Sequence, residues 1–148
     1  MKVIALNRKA FYDYQIQETL EAGLVLTGTE IKSIRNGRVN LRGAFARGNQ
    51  GELWLEGVHI AIYPAGGIYN HDPVRRRKLL LHRDQIARWG DRASQKGLTI
   101  VPLRLYIKDH VAKVELGLVR GRRQYEKRQV IIKREQEREM QRAIRNRQ

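Results

Sequence analysis

The sequence predicts a mainly β protein, a small antiparallel barrel with two or three short flanking helices and a basic C-terminal tail. Three observations predict it. Apolar residues alternate with period two over residues 14–26 and again over 111–119. Stretches at helical spacing are short and few. Glycines stand where strands need bulges and tight turns. Beyond residue 118 the alternation stops and charge takes over. Residues 1–118 therefore read as the body and 119–148 as the tail.

In residues 14–26 the even positions Tyr14, Ile16, Leu20, Ala22, Leu24 and Leu26 form an apolar row that Glu18 interrupts, and Gly23 allows a bend. Thr27 and Glu30 match a capping box, Ile31 and Ile34 share a face, and Gly37 fits the position just past a helix end. A short helix is predicted there, with Lys32 and Arg35 towards solvent. Strand signals resume at 44–47, turn at Gly48-Asn49-Gln50-Gly51 and run on over 52–63. Apolar parity flips at Glu56-Gly57, which predicts one strand with a bulge at Gly57. Residues 64–78 read as a loop punctuated by Pro64, Gly66, Gly67 and Pro73. Residues 83–95 read as a helix carrying Ile86, Trp89 and Ala93, stopped by Gly97. A hairpin closes the body. Residues 98–107 form one arm, with Pro102 marking an edge or bulge. Residues 111–119 form the other, with Ala112, Val114, Leu116 and Leu118 inward and Lys113 and Glu115 outward.

The chain has 30 Lys and Arg against 15 Asp and Glu, a net charge of +15. From residue 120 onward there are eleven Lys/Arg and four Asp/Glu, so the tail holds +7 and the body +8. A field of this sign attracts phosphate. The apolar content of the tail is Tyr125, Val130, Ile131, Ile132, Met140, Ala143 and Ile144. That is too little to offset the entropy of ordering it, so the tail is expected to be mobile when free and to order on a polyanion. Glu135–Arg138 and Glu139–Arg142 pairs and a stripe of Ile132, Met140 and Ile144 favour a helix from Lys127 onward, short of one that is stable alone. A compact body with such an arm reads as a nucleic-acid binder.

There is no cysteine, which excludes disulfides, thiolate metal sites and a cysteine nucleophile. The start, Met1-Lys2-Val3-Ile4-Ala5-Leu6, is too short for a signal sequence, and no apolar run reaches membrane-spanning length. A soluble, cytoplasmic monomer is expected. The histidines His59, His71, His82 and His110 have no metal-ligand spacing, Ser33 and Ser94 lack a nucleophile context, and no phosphate-binding loop is present. No enzyme, catalytic residue, metal or cofactor is expected. A metal-free ribonuclease built on His71-Asp72 is the best enzymatic alternative.

Two sites stand out. Arg75-Arg76-Arg77-Lys78 is either an RNA-contacting loop or a solvated one. Tyr125, set among Arg122, Arg123, Lys127 and Arg128, either stacks on an unpaired base or packs on the barrel rim.

Ala5-Leu6-Asn7-Arg8-Lys9-Ala10, Glu21-Ala22-Gly23-Leu24, Gly28-Thr29-Glu30-Ile31-Lys32-Ser33-Ile34-Arg35, His71-Asp72-Pro73, Arg77-Lys78-Leu79-Leu80-Leu81, Gly97-Leu98-Thr99 and the segment from Gly121 to Arg128 occur in one order along nearly the whole chain. As a set they resemble the small protein B (SmpB) family of tmRNA-binding proteins. The resemblance implies a six-stranded OB-like barrel, with a tail disordered when free and helical on the ribosome. It implies binding to the tRNA-like domain of tmRNA and its delivery to stalled ribosomes in trans-translation, the tail probing the empty mRNA channel. Implied partners are tmRNA, small-subunit rRNA at the decoding centre and mRNA channel, and, through tmRNA, elongation factor Tu and alanyl-tRNA synthetase. The alternative is a general OB-type accessory protein that binds rRNA.

By the same resemblance Asn7, Arg8, Lys9, Glu21, Arg35, Leu80, His82 and Lys113 fall on the tmRNA surface. Arg122, Arg123, Tyr125, Lys127 and Arg128 match the ribosome-binding tail, with Ile144 as a tail anchor. The family most often shows Gly-Lys-Lys and Asp-Lys-Arg where this chain has Gly-Arg-Arg and Glu-Lys-Arg, which keeps the charge but changes its geometry. Histidine is frequent at the Tyr125 position, and either ring can stack. Glu21 also lies on the outward, odd face of the long strand, where a carboxylate serves as an acceptor for base N–H groups.

Overall fold

The structure, a computed structural model, describes residues 1–122 and 124–147, without the side chains of Gln124, Tyr125 and Arg147. In chain order the elements are β1 (Lys2–Leu6), α1 (Arg8–Asp13), β2 (Tyr14–Leu24), α2 (Gly28–Arg35), β3 (Val39–Asn40), β4 (Phe45–Asn49), β5 (Glu52–Glu56), β6 (His59–Ile60), a 3-10 helix Pro64–Tyr69, β7 (Arg77–Leu80), α3 (Arg83–Ala93), β8 (Leu98–Lys108), β9 (Val111–Gly121) and α4 (Gln124–Arg147).

The long strands organise the rest. β8 and β9 form a hairpin from Leu98↔Arg120 to Lys108↔Val111. Its two turn residues, Asp109 and His110, both have positive φ (51° and 64°), as a two-residue turn matched to strand twist requires. β9 pairs on its other side with β2, from Tyr14↔Gly121 to Gly23↔Lys113. The order β8-β4-β5-β7-β2-β9, with β8 paired to β9, closes a ring of six antiparallel strands. The predicted alternation therefore has a physical destination, because inward positions of a closed sheet meet only one another. Ala22, Leu53, Leu55, Leu79, Ile100, Leu105, Val114, Leu116 and Leu118 are all buried in one cluster, with Trp89 of α3 sealed into it. Ala10, Val101, Leu103 and Val119 form a smaller cluster under α1.

The structure differs from the sequence expectation in five places. β1, α1 and β3 are additional elements. α1 starts because Asn7 caps it, its Oδ1 accepting from the Ala10 N–H at 3.2 Å. Residues 52–63 are two strands in different sheets. At Gly57 (φ 81°) the chain leaves the ring, and β6 pairs with β3 instead of extending β5. A side chain at Gly57 would also meet Ala44 Cα at 3.3 Å. The 64–78 segment contains the 3-10 helix and ends in β7, which completes the ring between β5 and β2. β9 runs to Gly121, so residues 119–121 belong to the ring and the tail starts later than residue 119. Residues 124–147 are drawn as a helix, α4, whose residues 131–146 are exposed along their whole length.

α2 is the predicted helix with its capping box formed. The Thr27 N–H donates to Glu30 Oε1 at 2.8 Å, and the Glu30 N–H to Thr27 Oγ1 at 3.4 Å. The same Glu30 does a second task. Its side chain is 0% exposed, and Arg77, 1% exposed on β7, donates Nε to Oε2 at 2.6 Å. Arg75 Nη2 reaches Oε1 at 2.5 Å. Arg77 also donates Nη1 to the Val58 carbonyl (2.7 Å) and Nη2 to that of Pro73 (3.1 Å). Burial pushes the Glu30 carboxyl up, but bonds from Arg75, the Thr27 N–H and Arg77 outweigh it and hold the group below the usual carboxylate range. Burial likewise draws Arg77 below its ordinary value, with Glu30 opposing.

Removing one partner of such a pair strands the other charge in the interior. Glu30→Ala should cost about 3–5 kcal/mol in urea unfolding. The depressed carboxyl stabilises the fold above its unfolded value of roughly 4.3. That contribution is lost as pH falls through the folded value, and Glu30→Gln should remove this part of the acid limb of the stability curve.

Candidate nucleic-acid interface

The outward face of the ring carries a cross-strand row. On β2, Gly23 lies between Lys113 of β9 and Leu80 of β7, and Lys113 in turn faces Tyr106 of β8. Because Gly23 has no side chain, this row sinks into a groove of about 420 Å³ lined by Glu21, Gly23, Leu80, Leu81, His82, Gln85 and Lys113. An added Cβ would stand 3.2 Å from that of Leu80, so glycine is what keeps the floor low. Leu80 is half exposed, and His82 caps the entry to α3, its N–H donating to Gln85 Oε1 at 3.0 Å.

Glu21 is held in place before any ligand arrives. The Tyr106 hydroxyl donates a short hydrogen bond to Oε2, and Lys108 Nζ stands 3.6 Å from the same oxygen. The Tyr106 bond lowers the Glu21 carboxyl below its ordinary value; burial opposes this, and Lys108 and Lys113 add to it. Tyr106 is pushed well above its own ordinary value, first by burial and then by Glu21. The site thus presents a fixed carboxylate beside an apolar Leu80 and a cationic Lys113, a set that suits a base edge, a sugar or base face, and a phosphate in one place.

The other expected positions separate. Asn7 is 5% exposed and donates Nδ2 to the Pro102 carbonyl at 2.8 Å, so its side chain is committed inside the fold rather than offered to RNA. Arg8 and Lys9 are exposed and line a second groove, of about 450 Å³, with Leu6, Asn7, Asn40 and Arg42. Arg35 is exposed at the end of α2, outside both grooves.

The basic run does not act as a unit, which corrects the expectation of a four-cation loop. Arg77 is buried, because a guanidinium with a carboxylate and two carbonyls around it can sit inside; it is withdrawn from the surface. Arg75 is partly buried on Glu30. Lys78 stands 3.5 Å from Glu52, and the guanidinium carbon of exposed Arg76 lies 4.1 Å over the Trp54 ring. His71, the nominal enzymatic candidate, is 8% exposed. Its Nε2 faces the Ile60 carbonyl at 2.9 Å and its Nδ1 the Thr29 hydroxyl at 2.8 Å. A carbonyl only accepts, so Nε2 carries the proton and Nδ1 accepts from Thr29. Both ring nitrogens are occupied.

The tail leaves the ring through a clamp. The Arg122 N–H donates to the Asp13 carbonyl at 2.8 Å, and its Nε to that of Tyr14 at 2.9 Å. Lys127 Nζ lies 3.5 Å from Asp13 and 5.7 Å over the Tyr12 ring. Arg128 and Ile144 are exposed. Arg123 and the Tyr125 side chain lie outside the described residues. Among the described residues no cluster of metal-ligating side chains occurs, and no helix is long and apolar enough to cross a membrane.

Sequence reasoning passed over Tyr106, Gln85 and Arg42. Tyr106 had a readable signal, since it is the hairpin partner of outward Lys113. Gln85 and Arg42 had none, because long-range folding alone brings them to the grooves.

Comparison with known proteins places this geometry in context. A family model described as SmpB protein matches residues 4–146. The SsrA-binding protein of Geobacillus kaustophilus is 56% identical over 147 residues, spanning 99% of this chain and 95% of its own. That of Latilactobacillus sakei is 56% identical over 145 residues, spanning 98% and 93%. A chain from the solved structure described as "tmRNA-SmpB: a journey to the center of the bacterial ribosome" is 50% identical, with a TM-score of 0.71, over 84% of this chain and 87% of that one.

If the Tyr106 hydroxyl fixes Glu21, Tyr106→Phe should move the Glu21 carboxyl upward towards its ordinary value. An NMR pH titration of side-chain carboxyl carbons reads the shift directly, and an unmoved Glu21 resonance would remove Tyr106 from the site.

Proposed function

This chain belongs to the SmpB family, and from that premise we propose that it binds tmRNA through the ring and acts in trans-translation on the ribosome. One observation carries the assignment of the site. Glu21, Leu80, His82 and Lys113, far apart in the chain, meet in a single groove on the ring's outer face.

The finer mechanism is differential binding, with no bond made or broken by the protein. The groove receives the tRNA-like domain: Glu21 accepts from base N–H groups, Lys113 meets phosphate, and Leu80 packs on sugar or base. Arg8 and Lys9 extend the contact, with Asn7 positioning them by capping α1. Arg35, Arg76 and Lys78 add peripheral phosphate contacts, the last two once they exchange Trp54 and Glu52 for RNA. The bound tmRNA brings elongation factor Tu and alanyl-tRNA synthetase as indirect partners to a cytoplasmic monomer.

The tail is the sensor. A 24-residue helix spans about 36 Å at 1.5 Å per residue. It has no packed face of its own beyond residue 130, so its order depends on what surrounds it. When mRNA fills its channel, the phosphates and volume that the tail needs are taken. In an empty channel Arg122, Arg123, Lys127 and Arg128 meet rRNA, Tyr125 stacks near the decoding centre, and Ile144 anchors the far end. The readout is a population shift.

Truncation before Gln124 should leave affinity for the tRNA-like domain within about twofold while abolishing ribosome rescue; equal loss of both would refute the division of labour. The retained clamp at Arg122 makes this a cleaner cut than one inside β9. Glu21→Ala should weaken tmRNA binding by about 10- to 150-fold, the worth of roughly 1.5–3 kcal/mol for a charge-assisted bond, without unfolding the ring, a small fall in melting temperature following from the stranded Tyr106 hydroxyl. Preference for the tRNA-like domain over intact tRNA separates this reading from a general rRNA binder.

A further inference from the structure

Asp13 is the last residue of α1, where a carboxylate opposes the helix dipole and needs cations beside it. It has two. Its Oδ2 lies 3.3 Å from Nζ of exposed Lys9, one turn back on the same helix. Its Oδ1 lies 3.5 Å from Nζ of Lys127, in the first turn of α4. The same Nζ stands 5.7 Å over the ring of Tyr12, the residue before Asp13. Asp13 also meets the tail through its backbone, its carbonyl accepting from the Arg122 N–H at 2.8 Å. One residue of the body therefore holds the tail at two points, one before α4 begins and one inside it.

These two points do different things. The bonds of Arg122 to the carbonyls of Asp13 and Tyr14 fix where the tail leaves the ring, but they precede the helix and leave its direction open. The other flank of α4 is held less closely. There a cleft of about 690 Å³ separates Gln15 and Arg120 of the ring from Val130 and Lys133 of the helix. Across it Arg120 Nη2 stands 3.9 Å from Glu126. Direction matters because α4 is a long lever. Its 24 residues span about 36 Å, so a swing of about 10° at the base moves the far end by about 6 Å. Masking of charge is a poor account of the Lys127 contact, since eleven Lys/Arg lie from residue 120 onward and covering one changes the tail little. Lys127 also carries three N–H donors, so Asp13 leaves donors over for phosphate.

We infer that Asp13 is a positioning residue for the tail: acting through Lys127, it sets the direction in which α4 leaves the ring. The inference deepens the proposed sensing role of the tail and rests on it for its functional consequence, though not for its geometry.

The chain has no cysteine, so Lys96→Cys in the turn before β8 and Gln136→Cys in α4, both at exposed positions, give two unique sites for spin labels in the full-length protein. The distance distribution between them reads the direction of the helix. Asp13→Asn should broaden it by about 3 Å or more, the arc that a swing of about 10° produces at residue 136. Lys127→Gln should broaden it equally, and the double variant should add nothing further, as two residues acting through one contact require. Lys9→Gln, which breaks only the other ion pair of Asp13, should leave it as in the parent. In ribosome-rescue assays Asp13→Asn should lose activity several-fold without weakened binding to the tRNA-like domain. An Asp13→Asn distribution no broader than the parent's overturns the inference. So does equal broadening by Lys9→Gln, which would make the effect a loosening of α1, and so does full rescue activity in a broadened Asp13→Asn protein. A parent protein that does not prefer the tRNA-like domain over intact tRNA sinks the proposed function, while the distance distributions still decide what Asp13 does.

Discussion

The buried pair between Glu30 and Arg77 is the constraint on which the other parts rely. Glu30 caps the helix that it begins, and its carboxylate then crosses to β7. Arg77 extends the link to Val58, where the chain has just left the ring, and to Pro73 at the end of the projecting loop. Four segments are thus locked by one set of charge-assisted bonds. Such an arrangement is sensitive to direction and distance in a way that apolar packing is not. It sets where β7 lies, and β7 supplies Leu80 to the groove.

Charge in this molecule is sorted by depth. Inside, cations are spent on geometry: Arg77 and, in part, Arg75 hold backbone and carboxylate. Outside, Arg8, Lys9, Lys32 and Arg35 are exposed on short helices. Between these extremes the groove uses a single fixed acid among bases. The Tyr106 bond and Lys108 hold the Glu21 carboxyl below its ordinary value and fix its position, which in the proposed site offers a nucleic acid an acceptor that costs little further ordering. A uniformly basic face would bind any phosphate backbone; in the proposed site the acid is the group that would read base edges.

Much of the fold was legible because a closed sheet enforces alternation. β2 and β9 are long enough for period two to be unmistakable, β8 follows as the other arm of a hairpin, and α2 announced itself by its cap. What escaped was written in long-range terms. β7 was hidden because one of its two inward residues is an arginine, and no apolar pattern reveals an inward charge whose partner is 47 positions away. The step at Gly57 looked like a bulge because a parity flip is the same whether a strand kinks or changes sheets. For the candidate site, the outward placement of Glu21 and of Lys113 was legible from strand alternation. The cap at Asn7 was not legible, because a short amide serves equally well as a cap or as an RNA ligand and its bond to Pro102 is a long-range one.

The ring also governs the order in which the molecule is able to assemble. β1 and β2 come first from the ribosome, yet their main partners are β8 and β9, about a hundred residues later. β2 meets β7 at only two paired positions, so a nascent chain lacking its last hairpin has most of that strand's edge open. Closing so long a loop is entropically costly and comes late. This newly made protein therefore becomes a working cylinder only once nearly all of it has been synthesised.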